Sequence, residues 1–178
     1  MTQEELQGWL DREDDGILRS GAHQAGSRQF CALEFDSVVR GRDWSDTPIT
    51  LPDLRPLNDG PWRSDAARTA ALLPVMVALW DWSTWTRARQ RQWASSVALE
   101  TVKQIIADLP GLPNPIRLQC QRATTLAEAT AAAGAVGAAA AWWAARAAGA
   151  AARAAAAETP LRVACQIWID AAVATADL

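Results

Sequence analysis

The chain has 178 residues, enough for one domain with a substantial core. Half of the residues are apolar, and the net charge of −3 argues against a dedicated nucleic-acid binder, because phosphate contacts require an excess of Lys and Arg. Ten tryptophans accompany abundant alanine, and strand-like alternation of Val, Ile and Thr is absent. The composition therefore predicts an all-α protein: a single compact helical domain over residues 1–178 with about six or seven helices.

The N-terminal part predicts two helices and a connector. The first helix begins at a capping box on Thr2 and ends near Gly16. The second is expected to start from Ser27 as its cap and to end before Gly41, which suits the position just after a helix. Residues 42–63 are rich in proline and predict an ordered connector. Its apolar side chains are expected to pack onto the helices: Trp44, Ile49, Leu51, Leu54 and Leu57.

Three more helices are predicted from their start and stop signals. Ser64 caps a third helix, which Pro74 is expected to kink or split. Either Thr84 or Thr86 caps a fourth. Asn114 is expected to cap a fifth helix, with a proline at the first helical position.

Residues 125–158 are dominated by alanine, the residue with the highest helix propensity, and predict one long helix that begins at a capping box on Thr125. Thr159 and Pro160 are expected to end it and to start a last helix. A membrane span is not predicted, because Ala and Gly gain little in lipid and a spanning helix needs about 20 predominantly apolar residues.

The cysteines and the N-terminal segment bear on location. Cys31, Cys120 and Cys165 are an odd number of widely spaced cysteines, which predicts reduced, buried thiols. The first residues are acidic and lack an apolar stretch, so no signal peptide is predicted. Together these features predict a soluble, cytoplasmic protein.

Several short motifs follow one another in a distinctive order. They are C-A-L-E at 31–34, W-S-D-T-P at 44–48 and L-N-D at 57–59, then an Arg/Leu-rich helix with an internal proline and an Ala/Trp-rich tail. This order resembles an uncharacterised family of small bacterial and bacteriophage proteins. The resemblance covers most of the chain and implies a phage or mobile-element setting without implying a mechanism.

Catalytic and metal-binding patterns are weak. His23 and Cys31 are eight residues apart, about 12 Å on one continuous helix, so a loop histidine and a core cysteine are favoured over a catalytic pair. A single histidine and the lack of C-x-x-C give no zinc site. Residues 11–16 imitate the first half of a calcium loop, but Ala22 stands where a bidentate Glu is required. We therefore predict no catalytic residue, no metal and no cofactor.

Residues 80–93 interleave tryptophan with arginine, a pattern typical of protein-interface hot spots and of single-strand nucleic-acid platforms. Arg87 and Arg91 share a helix face, Arg89 points away, and Trp82 is expected to be the most exposed tryptophan of the group. The alternative is that the tryptophans are core and the arginines are a plain solvated face. The predicted partner-binding residues are Trp82, Trp85, Arg87, Arg89 and Arg91.

The sequence thus favours a non-catalytic protein that binds a macromolecular partner, and a protein partner over nucleic acid or a membrane. In the phage setting this describes a stoichiometric inhibitor of a host defence system, similar to an anti-CRISPR protein. Two alternatives stay open. One is a small enzyme that uses exposed carboxylates among Glu34, Asp36, Asp46 and Asp59; the other is a self-assembling structural protein, or a homodimer, formed through the Ala-rich helix.

Overall fold

The computed structural model describes residues 1–13, 15–47, 49–135 and 158–176. Within these ranges the chain is helical and contains no β-strand, which confirms the predicted all-α class. A single β-bridge joins Leu18 and Phe30. The helices are α1 (Gln3–Glu13), α2 (Ala32–Val39), α3 (Arg55–Asn58), α4 (Asp65–Ala78), α5 (Arg87–Thr101), α6 (Asn114–Arg122), α7 (helical over 126–135) and α8 (Glu158–Ala174). A 3₁₀ turn, Trp82–Thr84, precedes α5, and a π-helical turn, Val102–Ile106, extends it.

Four of the predicted helix starts are confirmed by their hydrogen bonds. The Thr2 hydroxyl accepts the N–H of Glu5 at 3.1 Å, and the Thr125 hydroxyl accepts the N–H of Glu128 at 3.2 Å. Ser64 caps α4. Of the two candidates for α5, Thr86 is the cap, because its hydroxyl accepts the N–H of Arg89 at 3.1 Å. Local signals were sufficient here since each cap lies within three residues of its partner.

The predicted start of the second helix at Ser27 is wrong. The backbone of Gly26 and Arg28 has positive φ, which no α-helix tolerates. Helix α2 instead begins at Ala32, with Cys31 as its N-cap. The Cys31 sulfur accepts the N–H of Glu34, whose carboxylate accepts the N–H of Cys31 at 2.8 Å in return. The arrangement is a capping box with sulfur in the place of a hydroxyl oxygen.

Two other predicted helix boundaries need correction. Asn114 lies inside α6 and does not cap it; Pro113 occupies the cap position, and its carbonyl closes the first turn by accepting the N–H of Arg117 at 3.0 Å. Helix α4 is continuous through Pro74, so of the two predicted outcomes, a kink or a split, the split is excluded. Pro74 has no N–H to donate to the carbonyl of Ala70. Because Ala70 is exposed, water can solvate that carbonyl.

The connector at 42–63 packs down as predicted, with one exception. Leu51, Leu54 and Leu57 are buried, but Ile49 is 73 % exposed. The connector also contains the short helix α3, which the prolines hid from sequence reasoning. Pro56 stands in the first turn of α3. The backbone N–H that a proline lacks would have no intrahelical partner at that position, so the helix tolerates it.

The main core joins α1, α2 and the connector to α4, α5 and α8, and α8 packs against both α4 and α5. A second, smaller core of Val102, Cys120 and four alanines lies between the π-helical turn, α6 and α7. The predicted Ala-rich helix is helical as far as residue 135. Its residues 136–157, with Trp142, Trp143 and Arg146, lie outside the described part of the chain.

Candidate partner-binding site

The Trp/Arg stretch forms the junction between α4 and α5. After α4 the backbone makes two tight turns, in which the N–H of Trp82 bonds to the carbonyl of Leu79 at 2.9 Å and the N–H of Trp85 to that of Trp82 at 3.1 Å. The Gln90 side-chain amide donates to the Trp82 carbonyl at 3.0 Å and so fixes the turn against α5. The junction is thus held by hydrogen bonds and presents the first turns of α5 in a defined orientation.

The tryptophans of this junction belong mainly to the core. Trp85 and Trp93 are 8 % and 5 % exposed, and Trp82 is half-buried. The Trp82 ring centroid lies 5.1 Å from that of Trp85 and 4.9 Å from that of Trp93. Trp93 also contacts Trp168 of α8, with ring centroids 5.0 Å apart and an Nε1–H···O bond of 3.2 Å to the Trp168 carbonyl. The structure therefore assigns Trp85 to the core, in agreement with the alternative interpretation, and fixes α5 to α8 through aromatic contacts.

Arg89 lies over the Trp85 ring, with its guanidinium carbon 3.7 Å from the ring centroid. Its Nε is buried and has no hydrogen-bond partner among the described residues. Arg40 is an instructive comparison, since it lies equally close, 3.7 Å, to the Trp80 ring. Arg40, however, also donates to Asp36 at 2.7 Å and to the Trp80 carbonyl at 2.6 Å. The two arginines share the cation–π contact, and only Arg40 has its charge matched by a carboxylate.

Arg87 and Arg91 are exposed on the first turns of α5, four residues apart on one face. In the described part of the chain neither side chain makes a hydrogen bond or an ion pair. Helix α5 has no acidic residue in its first turn, so three arginines crowd the positive end of the helix dipole. Arg87 and Arg91 therefore share one face at the start of α5, whereas Arg89 lies on another side of the helix, stacked on Trp85.

His23, Glu34 and Cys31 meet in a polar cluster that the sequence did not predict. The buried Glu34 carboxylate accepts the N–H of His23 at 2.6 Å and lies 2.8 Å from Nδ1 of the His23 ring. Burial raises the pKa of the Cys31 thiol to about 12. At neutral pH the thiol therefore stays protonated and is a poor nucleophile. The cluster has the chemistry of a helix cap joined to a loop.

The four candidate carboxylates are held by hydrogen bonds. Asp36 is fully buried and accepts from Arg40 and from the Thr50 hydroxyl. Asp59 accepts the N–H of Gly21 at 2.8 Å, and the Asp46 carboxylate accepts the Thr47 hydroxyl at 3.3 Å. Together with Glu34 in the helix cap, each of these carboxylates accepts a hydrogen bond from within the fold.

A second buried polar cluster, also missed, lies around the L-N-D motif. The Asn58 side chain accepts the N–H of Ala32 at 3.1 Å and donates to the Arg19 carbonyl at 3.0 Å. The Asn58 carbonyl accepts Nε of the buried Arg68 at 2.7 Å, and the Arg68 guanidinium also contacts Asp65. The cluster joins α2, α3 and α4 to the loop at 15–31. An arginine on the apolar face of a predicted helix was the one signal that could have revealed it.

The acidic residues of the calcium-like stretch are engaged by neighbouring side chains. Asp11 and Asp15, from the calcium-like stretch, bond to Gln7 at 2.8 Å and to Arg19 at 2.6 Å. No group of three His, Cys, Asp or Glu residues there could hold a metal ion. No helix in the same ranges has both the length and the apolar character that crossing a bilayer requires.

Comparison with known proteins gives no assignment: no family model, no curated protein and no solved structure matches the chain. The function proposed below is therefore inferred from the geometry of the described residues.

Proposed function

We propose that this chain is a non-catalytic protein that binds a protein partner through the start of α5. The proposed contact residues are Arg87, Arg91 and Trp82, with Arg89 on another side of α5. The observation that carries the proposal is the set of three arginines, none of which forms an ion pair within the described chain, at the end of a helix where cations are least favoured.

Local energetics support this choice of site. Each cation near a helix N-terminus loses about 0.3–1 kcal/mol relative to a favourable charge, and like charges at i,i+4, such as Arg87 and Arg91, repel one another. Within the described residues no ion pair offsets this cost. Positions where local preference is violated without compensation inside the fold are where a functional contact is expected.

The remaining polar groups favour binding over catalysis. Glu34 and Asp36 are both fully buried carboxylates. Glu34 caps helix α2, and Asp36 forms an ion pair with Arg40. Cys31 is a protonated thiol at neutral pH. An enzyme would need a reactive group free to meet a substrate, so no specific observation favours the enzymatic alternative.

The biological setting enters through the sequence motifs. Their resemblance to small phage and bacterial proteins is consistent with a stoichiometric inhibitor of a host defence system, in the manner of an anti-CRISPR protein. Assembly through the Ala-rich helix would involve residues 136–157, which lie outside the described ranges.

The test is capture of a partner from host extract with a matched pair of charge-reversed variants. Arg87→Glu/Arg91→Glu should abolish capture of the partner that the wild-type chain retains, because interface arginines commonly contribute about 2 kcal/mol or more. Arg42→Glu/Arg122→Glu makes the same change in net charge at two other exposed arginines and should retain capture. Equal capture by all three proteins would contradict the proposed site.

A further inference from the structure

Arg87, Arg89 and Arg91 have no ion pair among the described residues, whereas five other arginines of the chain do. Elsewhere an aspartate commonly lies close by, as in the pairs Arg19–Asp15, Arg40–Asp36, Arg55–Asp53 and Arg68–Asp65. Helix α5 contains one acidic residue, Glu100 near its far end, and that side chain is paired with Lys103 at 2.7 Å. The positive charge at the start of α5 is therefore left without a counter-charge among the described residues.

We infer that the protein partner of this site presents an acidic segment, whose carboxylates pair with Arg87, Arg91 and the outer nitrogens of Arg89. This inference rests on the proposed function and specifies the chemistry of the partner. A guanidinium offers two parallel N–H groups that match a carboxylate, so three of them on two helical turns favour a run of Asp or Glu over an apolar or basic surface.

Arg89 is the side chain best prepared for this contact. Its guanidinium is fixed over the Trp85 ring at 3.7 Å, so little rotamer freedom remains to be lost when it binds a carboxylate. The stacking also buries one side of the guanidinium, which lowers the competing effect of water on its charge. Arg87 and Arg91 lie on another face of α5, with their Cβ atoms about 5–6 Å apart, as is usual for residues at i,i+4.

The same geometry disfavours a single-stranded nucleic acid, the other polyanion that arginines attract. Binding of single strands depends on aromatic faces that are free to stack on bases. Here one face of Trp85 is covered by Arg89, and the ring itself is 8 % exposed. The Trp82 ring is in contact with those of Trp85 and Trp93. The aromatic residues therefore support the arginines and leave little surface for bases.

The test uses the intact chain and three labelled probes of equal length: a peptide of alternating Glu and Ala, its Gln/Ala counterpart, and oligodeoxythymidine. We expect the Glu/Ala peptide to bind most tightly, and its affinity to fall as sodium chloride is added. Arg87→Gln/Arg91→Gln should weaken that binding about tenfold or more, and Arg89→Lys, which keeps the charge and loses the fork, by a smaller factor. Arg42→Gln/Arg122→Gln is the control and should bind like the wild type.

Several outcomes would overturn the inference: no measurable binding of the Glu/Ala peptide, equal binding of the Gln/Ala peptide, tighter binding of oligodeoxythymidine, or an equal loss in the control variant. The proposed function fails separately. If partner capture depends on Arg87 and Arg91 while the Glu/Ala peptide does not bind, the site is correct and the partner's chemistry is not acidic.

Discussion

The ring of His23 lies 2.8 Å from the buried carboxylate of Glu34, and the same carboxylate accepts the backbone N–H groups of His23 and Cys31. One side chain thereby caps α2 and fixes the loop that precedes it. The Trp44 indole donates a hydrogen bond of 3.2 Å to the His23 carbonyl. The C-A-L-E and W-S-D-T-P motifs therefore meet at this point. The motif residues are explained by the fold that they hold together.

Replacement of Glu34 tests this explanation. Glu34→Gln removes the charged acceptor and leaves buried N–H donors poorly matched, so we expect a loss of about 1–3 kcal/mol in the free energy of unfolding. Glu4→Gln is the same chemical change on an exposed residue and should alter stability by less than about 0.5 kcal/mol. Chemical denaturation measures both. Equal stability of the two variants would show that the charge of the Glu34 carboxylate is not needed for the cap.

Asn58 provides a second test of the buried polar clusters. Asn58→Ala leaves the N–H of Ala32 and the carbonyl of Arg19 without their partners, and it removes a buried side chain. A loss of about 2–3 kcal/mol is expected from the unsatisfied groups. Asp43→Ala, an exposed change in the same region of sequence, is the control. A small effect at Asn58 would mean that the loop at 15–31 is held in another way.

Replacement of Trp93 should lower stability more than replacement of Trp82, because Trp93 is more deeply buried. Trp93→Ala should cost roughly 3–5 kcal/mol, because Trp93 is buried between Trp82 and Trp168. Trp82→Ala removes a half-buried ring and should cost less stability while weakening partner binding. Thermal unfolding and the capture assay, run on both variants, check this order. If Trp82→Ala is the more destabilising of the two, Trp82 is a core residue and not a contact residue.

The buried thiols predict how stability changes with pH. Burial raises the pKa values of Cys31 and Cys165 from 9.0 to about 12. The unfolded chain therefore releases protons that the folded chain retains, and the free energy of unfolding should fall as pH rises from about 9 towards 12. Cys165→Ala removes one of these groups and should flatten the decline. Thiol-reactive reagents should label both cysteines slowly in the native protein at pH 8, and rapid labelling would contradict their burial.

Sequence reasoning succeeded where the determining contacts are local. The caps at Thr2, Ser64 and Thr125 bond to groups three residues away, so spacing alone identified them. It failed at α2, because the capping atom is the sulfur of Cys31 and the usual pattern specifies a hydroxyl or carboxamide oxygen.

The buried clusters could not be predicted for a different reason. Asn58 bonds to the carbonyl of Arg19, which is 39 residues distant, and no periodicity encodes that contact. In the candidate site, the shared face of Arg87 and Arg91 followed from their helical spacing. The burial of Trp85 depends on where the 3₁₀ turn directs its ring, which only the three-dimensional structure gives.

Arg87 and Arg91 at the start of α5 are proposed to serve binding, and their exposed charges to contribute little to folding. The most direct measurement compares the affinity of the captured partner for wild type and for Arg87→Glu/Arg91→Glu, with the melting temperature of each. Exposed charges contribute about 0–1 kcal/mol to folding, so we expect an almost unchanged melting temperature with a loss of affinity of at least about thirtyfold. Unchanged affinity in a folded double variant would contradict it.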